Sequence, residues 1–242
     1  MKPIKIDIIH EDDALIMVNK PAGVLSIPDR FDAQKPNLVR LLEQNRPKVW
    51  IVHRLDLETS GIICFAKTEA AHRELSRQFA QREVKKYYRL LVDGIVRPAE
   101  GVIDRPIAPS PAGGGLMHIS AKGKPSTTKY QVLEVFKKFS WVEAQLLTGR
   151  THQIRVHFKH LGHPLSVDRR YGPREAFFLS EIKHRRYNLG KTQEERPLLS
   201  RSALHAFRLT LQHPSSREVI TLEAPLPKDL KAVLNQLRKW GR

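Results

Sequence analysis

The sequence has a single cysteine, Cys64, among 242 residues, which excludes an intramolecular disulfide and suits a reducing compartment. Cys64 lies in the apolar run Gly61–Ala66, where it reads as a small buried hydrophobe. No run approaches the roughly 20 apolar residues that a membrane-spanning helix needs, and Met1–Asp7 lacks the apolar stretch of a secretory signal. A P-loop, a dinucleotide-binding glycine fingerprint and a Cys-rich metal motif are all absent. Acid is also scarce: 25 Asp and Glu stand against 42 Lys and Arg, a net charge of +17 with the 11 His counted neutral. A charged but neutral-on-balance surface would mix both signs. A membrane surface would call for a basic amphipathic helix or a lipidation signal, and neither is present. The excess therefore points to a polyanion whose phosphates the basic side chains neutralise.

With 40% hydrophobic residues the chain can build a core, as one large domain or two small lobes sharing it. Aliphatic runs predict strands at 4–9 and 14–18 around a polar turn at 10–13, after which Lys20-Pro21-Ala22-Gly23 breaks the pattern. Leu38, Leu41 and Leu42 predict a helix over 37–45, stopped by Pro47. Short strands at 49–52 and 62–65 flank a polar loop at 53–61. Ala71, Leu75 and Phe79 recur every four residues and predict a helix over 69–83. Tyr88–Val92 reads as a strand, and 98–125 as a loop region in which short strands have no clear place. Segments 127–136 and 140–147 form a hairpin pattern. Thr151 is expected to cap a helix over 152–161, with Ile154, Phe158 and Leu161 inward. Residues 169–202 read as an insertion or mobile loop. Strands at 204–211 and 218–223 close the pattern, and Pro227 opens a last helix with Leu230, Val233, Leu234 and Leu237 as its stripe. Strands and helices mix without βαβ alternation, so the expected fold class is α+β with a mixed or antiparallel sheet and flanking helices.

The loop His53-Arg54-Leu55-Asp56-Leu57-Glu58-Thr59-Ser60-Gly61 concentrates polar chemistry between two apolar strands. Pattern alone allows a solvated turn. It also allows an ionised carboxylate kept charged by nearby arginines and usable as nucleophile or base, or a pair of Asp56 and Glu58 of the glycosidase kind. His152, His157, His160 and His163 are close in sequence, and His157 and His160 share a helical face. No acid or cysteine accompanies them and Arg155 and Lys159 would repel a cation, so no metal is expected.

That loop resembles the HRLDxxTSG motif of the RluA-type pseudouridine synthases. Three further segments agree in order: Val18-Asn19-Lys20-Pro21-Ala22-Gly23 with the family's first motif, Lys86–Gly94 with its KxYxAxVxG segment, and Thr148–His157 with its TGRxHQIRxH segment. Leu90 replaces the usual alanine of the second of these. The resemblance spans roughly residues 6–172 and resumes around 203–225.

The resemblance implies an α+β fold of two half-domains sharing one sheet with a cleft across it, in a single catalytic domain over 1–242. It also implies an isomerase of uridines in RNA without metal or organic cofactor. Asp56 falls on the essential aspartate, Arg54 on the arginine that helps extrude the base, Tyr88 on the tyrosine that packs on uracil, and Arg155 on the arginine that pairs with the carboxylate. Whether Asp56 attacks C1′ or takes a sugar proton to form a glycal stays open at this stage. A flipped-out base costs a few kcal/mol, and stacking on an aromatic such as Tyr88 returns roughly 1–3 kcal/mol. Large-subunit ribosomal RNA is the expected substrate, with transfer RNA, or a non-catalytic RNA-binding role on the same fold, as alternatives. A nucleic-acid glycosidase built on Asp56 and Glu58 would differ by releasing free uracil. Lys86, Arg150, Arg185 and Arg186 are candidate RNA contacts, and the histidines of 152–163 are expected to meet RNA or cap the helix end. No separate RNA-binding domain is expected before the first strand. A cytoplasmic monomer with no membrane partner completes the expectation.

Overall fold

The computed structural model describes residues 4–29, 32, 34–183 and 194–242. The chain divides into two compact units, each assembled from two stretches of sequence. Unit 1 runs to Tyr88 and is completed by His205–Pro225; unit 2 takes Arg89–Leu204 and Leu226–Arg242.

In unit 1, β1 (Asp7–Glu11) pairs antiparallel with β2 (Leu15–Lys20), and β2 pairs antiparallel with β4 (Ser60–Ala66). The short β3 (Trp50–Ile51) also lies antiparallel on β4. On its other edge β4 meets β11 (Leu204–Gln212) in parallel, and β11 pairs antiparallel with β12 (Val219–Glu223). The sheet is therefore mixed, as expected for the α+β class. Strands β2 and β4 are buried on both faces, which explains why both read as continuous apolar runs and not as alternating ones. Two helices serve this unit. Asn37 caps α1 (Leu38–Glu43) through the Arg40 N–H at 3.0 Å, and Thr68 caps α2 (Glu69–Ala80) through the Ala71 N–H at 3.2 Å. Helix α2 packs Ala71 and Leu75 inward. Strand β5 (Lys85–Asp93) carries the chain into unit 2.

In unit 2, β9 (Thr127–Val135) lies between β10 (Phe139–Leu146) and β6 (Glu100–Asp104), both antiparallel to it. A separate hairpin joins β7 (Ile107–Pro109) to β8 (Met117–Ile119). The stretch 98–125 thus contains three short strands where the sequence suggested mostly loop; at three to five residues each they carry too few alternations to register. Helix α3 (Gln153–His160) packs on β8 and β9, and α4 (Lys228–Trp240) buries Leu230, Val233, Leu234 and Leu237 in the unit's core. That core also takes Phe136, Phe139, Trp141, Val167, Phe177 and Leu199.

Three expectations need correction here. Thr151 does not cap α3; His152 occupies the N-cap at φ +56 with no side-chain cap. Leu161 is exposed, and the face of α3 turned inward carries Ile154, Phe158, Val156 and the polar Gln153 and His157. Residues 169–202 are not simply an insertion, because Phe177 and Leu199 bridge one another and are buried. Arg185 and Arg186 lie outside the described residues.

Candidate active site

Asp56 stands on the loop between β3 and β4, half-buried, and the backbone on both sides of it is tied to segment 20–26. On one side the Leu55 N–H donates to Ser26 Oγ (3.0 Å), and the Ser26 hydroxyl donates to the Leu55 carbonyl (2.9 Å). On the other side the Leu57 carbonyl accepts from the Gly23 N–H (2.9 Å) and from Lys20 Nζ (3.0 Å). Lys20 is buried, and its ammonium also donates to the carbonyls of Val24 (2.7 Å) and Pro21 (3.1 Å). Carbonyls here replace the water that a buried ammonium loses. Gly23 turns at φ +81, a conformation a side chain would resist, and this lets its N–H reach Leu57. The Thr59 N–H closes the loop on the Asp56 carbonyl at 3.1 Å. Each residue from 55 to 57 is therefore held by a hydrogen bond, and the carboxylate of Asp56 rides on fixed backbone.

The remaining motif residues lock this loop into the sheet. The Nε2 of buried His205 donates to the Ala224 carbonyl (3.1 Å), so its Nδ1 is the acceptor for the Ser60 hydroxyl (3.0 Å). His53 Nε2 accepts the Cys64 N–H at 3.0 Å while its ring stacks on Phe79 at 4.6 Å. Burial, and then the charge of Lys86, pull His53 down to about 3, so the ring is neutral with its proton on Nδ1. Cys64 is buried as expected, its thiol pushed up by burial.

Tyr88 projects from β5 into this neighbourhood. Burial, and then the negative charge of Asp56, push its phenol up, so it stays protonated beside the carboxylate. Tyr87, its neighbour, takes the other face of the strand and packs under Arg208, 4.2 Å from the ring centroid. Arg54 is exposed and makes no hydrogen bond or ion pair among the described residues. Lys86 is partly buried, and its charge is felt at His53.

Arg155, on α3 of unit 2, has an acid partner that sequence reading missed. Its Nε and Nη2 fork onto buried Asp168 at 2.7 and 2.8 Å, and the guanidinium lies 4.8 Å from the Tyr171 ring centroid. Burial alone would raise Asp168, yet Arg155 and the N–H groups of Arg170 (2.9 Å) and Tyr171 (3.1 Å) bring it below the usual carboxylate range. The Tyr171 hydroxyl accepts the Met117 N–H (2.8 Å) and shares a hydrogen bond with His152 Nδ1 (2.7 Å). His157 does not face solvent. Its Nε2 donates to the Arg105 carbonyl (3.0 Å), and its Nδ1 accepts from Thr128 (2.9 Å), whose hydroxyl in turn accepts from Gln153 (3.0 Å). Arg150 directs Nε at the Pro125 carbonyl (3.3 Å), and its N–H at Gln153 (3.0 Å). Most of the Thr148–His157 motif therefore builds the fold around α3. An acid closing the apolar run Leu165-Ser166-Val167-Asp168 is the sequence signal that could have revealed the partner of Arg155. Among the described residues no cluster of His, Cys, Asp or Glu could hold a metal ion, and no helix is long and apolar enough to cross a membrane.

Comparison with known proteins identifies the family. The chain is 40% identical over 245 residues to ribosomal large subunit pseudouridine synthase D of Neisseria meningitidis, covering 98% of this chain and spanning 62% of that protein's length. It is 39% identical over 220 residues to the dual-specificity RNA pseudouridine synthase RluA of Escherichia coli, covering 90% of this chain and 92% of that one. Among solved structures, human RNA pseudouridylate synthase domain containing 4 superposes with a TM-score of 0.73 at 27% identity, covering 96% of this chain and 93% of that one. Human RNA pseudouridylate synthase domain containing 1 gives 0.69 at 28% identity, covering 98% of each chain. Residues 14–160, which hold Asp56, Tyr88 and Arg155, match the model of the RNA pseudouridylate synthases, and the chain belongs to that family.

Proposed function

We propose that this protein isomerises uridine to pseudouridine in structured RNA, with large-subunit ribosomal RNA as substrate and Asp56 as the catalytic carboxylate. The observation that carries this reading is the loop at 55–57, whose every residue is hydrogen-bonded so that one carboxylate is presented beside a protonated tyrosine. The reaction breaks the N1–C1′ bond, turns the base and rejoins it through C5. Attack at C1′ and proton removal from the sugar both require an ionised Asp56 at a fixed position. Tyr88 supplies an aromatic face for the displaced uracil and no competing charge. Arg54, exposed on the same loop, enters the space the extruded base leaves and meets phosphates or neighbouring bases. Arg155 serves the catalytic carboxylate, as the resemblance assigns. Lys86 and Arg150 add positive charge toward RNA. The reaction calls for no metal or organic cofactor, and the enzyme acts as a cytoplasmic monomer.

Transfer RNA is the second reading, favoured by the 92% coverage of a relative named for dual specificity. The test is a pseudouridine map of ribosomal and transfer RNA from cells with and without the gene. Sites that vanish without it, and return with wild type but not with Asp56→Ala, fix reaction and substrate together. Purified Asp56→Ala should be inactive yet bind RNA within a few-fold of wild type. Full turnover by that variant would overturn the assignment, and release of free uracil would identify a glycosidase instead.

A further inference from the structure

The fork of Asp168 on Arg155 depends on a loop that is fastened at its far end. Asp168 opens the loop 168–174, and its N–H donates to the carbonyl of Arg174 at 3.1 Å. Within the loop the Gly172 N–H returns to the Asp168 carbonyl (2.9 Å), and a Cβ on Gly172 would sit 2.8 Å from the Leu165 carbonyl oxygen. Little slack exists inside the turn, so its placement is set by Tyr171, tied to Met117 and His152, and by what holds Arg174. The Arg174 guanidinium forks onto Asp93 at the end of β5, Nη1 to Oδ1 at 3.0 Å and Nη2 to Oδ2 at 3.1 Å. Its Nε faces Glu181 at 3.4 Å, and its plane lies 5.4 Å from the ring centroid of buried Phe139 on β10. Asp93 is itself fixed through its backbone, its N–H on the Pro164 carbonyl (2.9 Å) and its carbonyl accepting from His163 Nδ1 (2.9 Å). One side chain thus joins the loop carrying Asp168 to β5, to β10 and to the short helical turn Leu179–Glu181.

We propose that Arg174 is a positioning residue for catalysis: held by Asp93 and Glu181, it fixes loop 168–174 so that Asp168 aims the guanidinium of Arg155. This rests on the role given to Arg155 under the proposed function. The donors of Arg174 face the carboxylates of Asp93 and Glu181, so it contributes orientation and not RNA affinity. Small errors in the placement of a catalytic group are costly, up to about a hundredfold in rate for about 1 Å.

The test is a double-mutant cycle read by single-turnover pseudouridine formation on unmodified large-subunit ribosomal RNA transcribed in vitro. Filter binding and thermal melting are run on the same proteins. Arg174→Gln should lower the single-turnover rate about tenfold while RNA affinity stays within about twofold of wild type. In an Arg155→Lys background, where the fork is already lost, Arg174→Gln should lower the rate no further. A folded Arg174→Gln protein with the wild-type rate would overturn the proposal. So would a full additional loss in the Arg155→Lys background, which would mean that Arg174 acts by another route. Failure of the underlying reading looks different: Arg155→Lys itself would then keep the wild-type rate. Should Arg174→Gln not fold, Asp93→Asn carries the same expectations. Asp93→Asn keeps the size of the side chain and removes its charge toward Arg174.

Discussion

At the scale of single residues, the sequence exposes the side chains proposed to meet substrate more readily than those that hold them. Asp56, Tyr88 and Arg54 are singled out in sequence by the family resemblance of the motifs that carry them; residue pattern alone left a solvated turn open. Lys20 is not. In sequence it is a basic residue in a turn, and on a chain with 42 Lys and Arg the default reading is a surface charge. In the structure it is buried and donates to three carbonyls, one of them Leu57, next to Asp56. Lys20→Met keeps the bulk and removes the donor, leaving buried carbonyls short of a partner. The expected loss is about 3 kcal/mol of stability, near the upper end for an unsatisfied buried polar group. The loop would also lose one of the two bonds on Leu57, so turnover should fall while RNA affinity is kept. Chemical denaturation and single-turnover rates check the two parts. A variant as stable and as active as wild type would show that Lys20 does not hold the loop. Asp168 escapes notice for the related reason that its partner Arg155 lies 13 residues away, beyond any local pattern.

At the scale of elements, periodicity located the strands and helices that are apolar enough to advertise themselves, β2, β4, α2 and α4 among them. It failed where an element is short, as with β6, β7 and β8; for α3 it placed the helix but not the polar residues its inner face buries, Gln153 and His157. The Thr59-Ser60-Gly61 end of the motif shows how much of a functional signature is structural. Gly61 sits at φ +117 where β4 meets β11, and a Cβ there would lie 2.7 Å from the backbone N and C of Ala206. No side chain can yield to relieve that clash. Gly61→Ala should therefore cost roughly 4 kcal/mol or more, the exceptional end for single substitutions, because the parallel contact of the two strands must open. The Ser60–His205 bond would be lost with it. A thermal melt measures this directly, and a shift of only a degree or two would mean that β11 can move aside.

At the scale of the molecule, neither the interleaving of the two units nor the split of β5 between them is written in any local pattern; the return of His205–Pro225 to unit 1 depends on pairings with strands far upstream. The charge, in contrast, is fully legible, and the structure refines what it can do. Many carboxylates are already engaged: Glu11, Glu74, Asp93, Glu134, Asp168 and Asp229, among others, each face at least one arginine. Those pairs cancel, so the net +17 resides on cations that remain to meet solvent or RNA. Only cations that touch phosphate release counterions, and each lowers the log–log salt slope by about 0.7 to 0.9. A footprint of about six phosphates predicts a roughly thousandfold fall in RNA affinity between about 50 and 200 mM salt. Arg54→Ala should reduce the slope by about one phosphate, because that exposed arginine makes no ion pair among the described residues. Arg174→Gln should leave the slope unchanged, because its guanidinium is already matched by Asp93 and Glu181. Equal slopes for wild type and Arg54→Ala would place that arginine away from phosphate, against a base or in the space left by the flipped uridine. A flat salt response for the whole protein would mean that its positive charge serves something other than RNA.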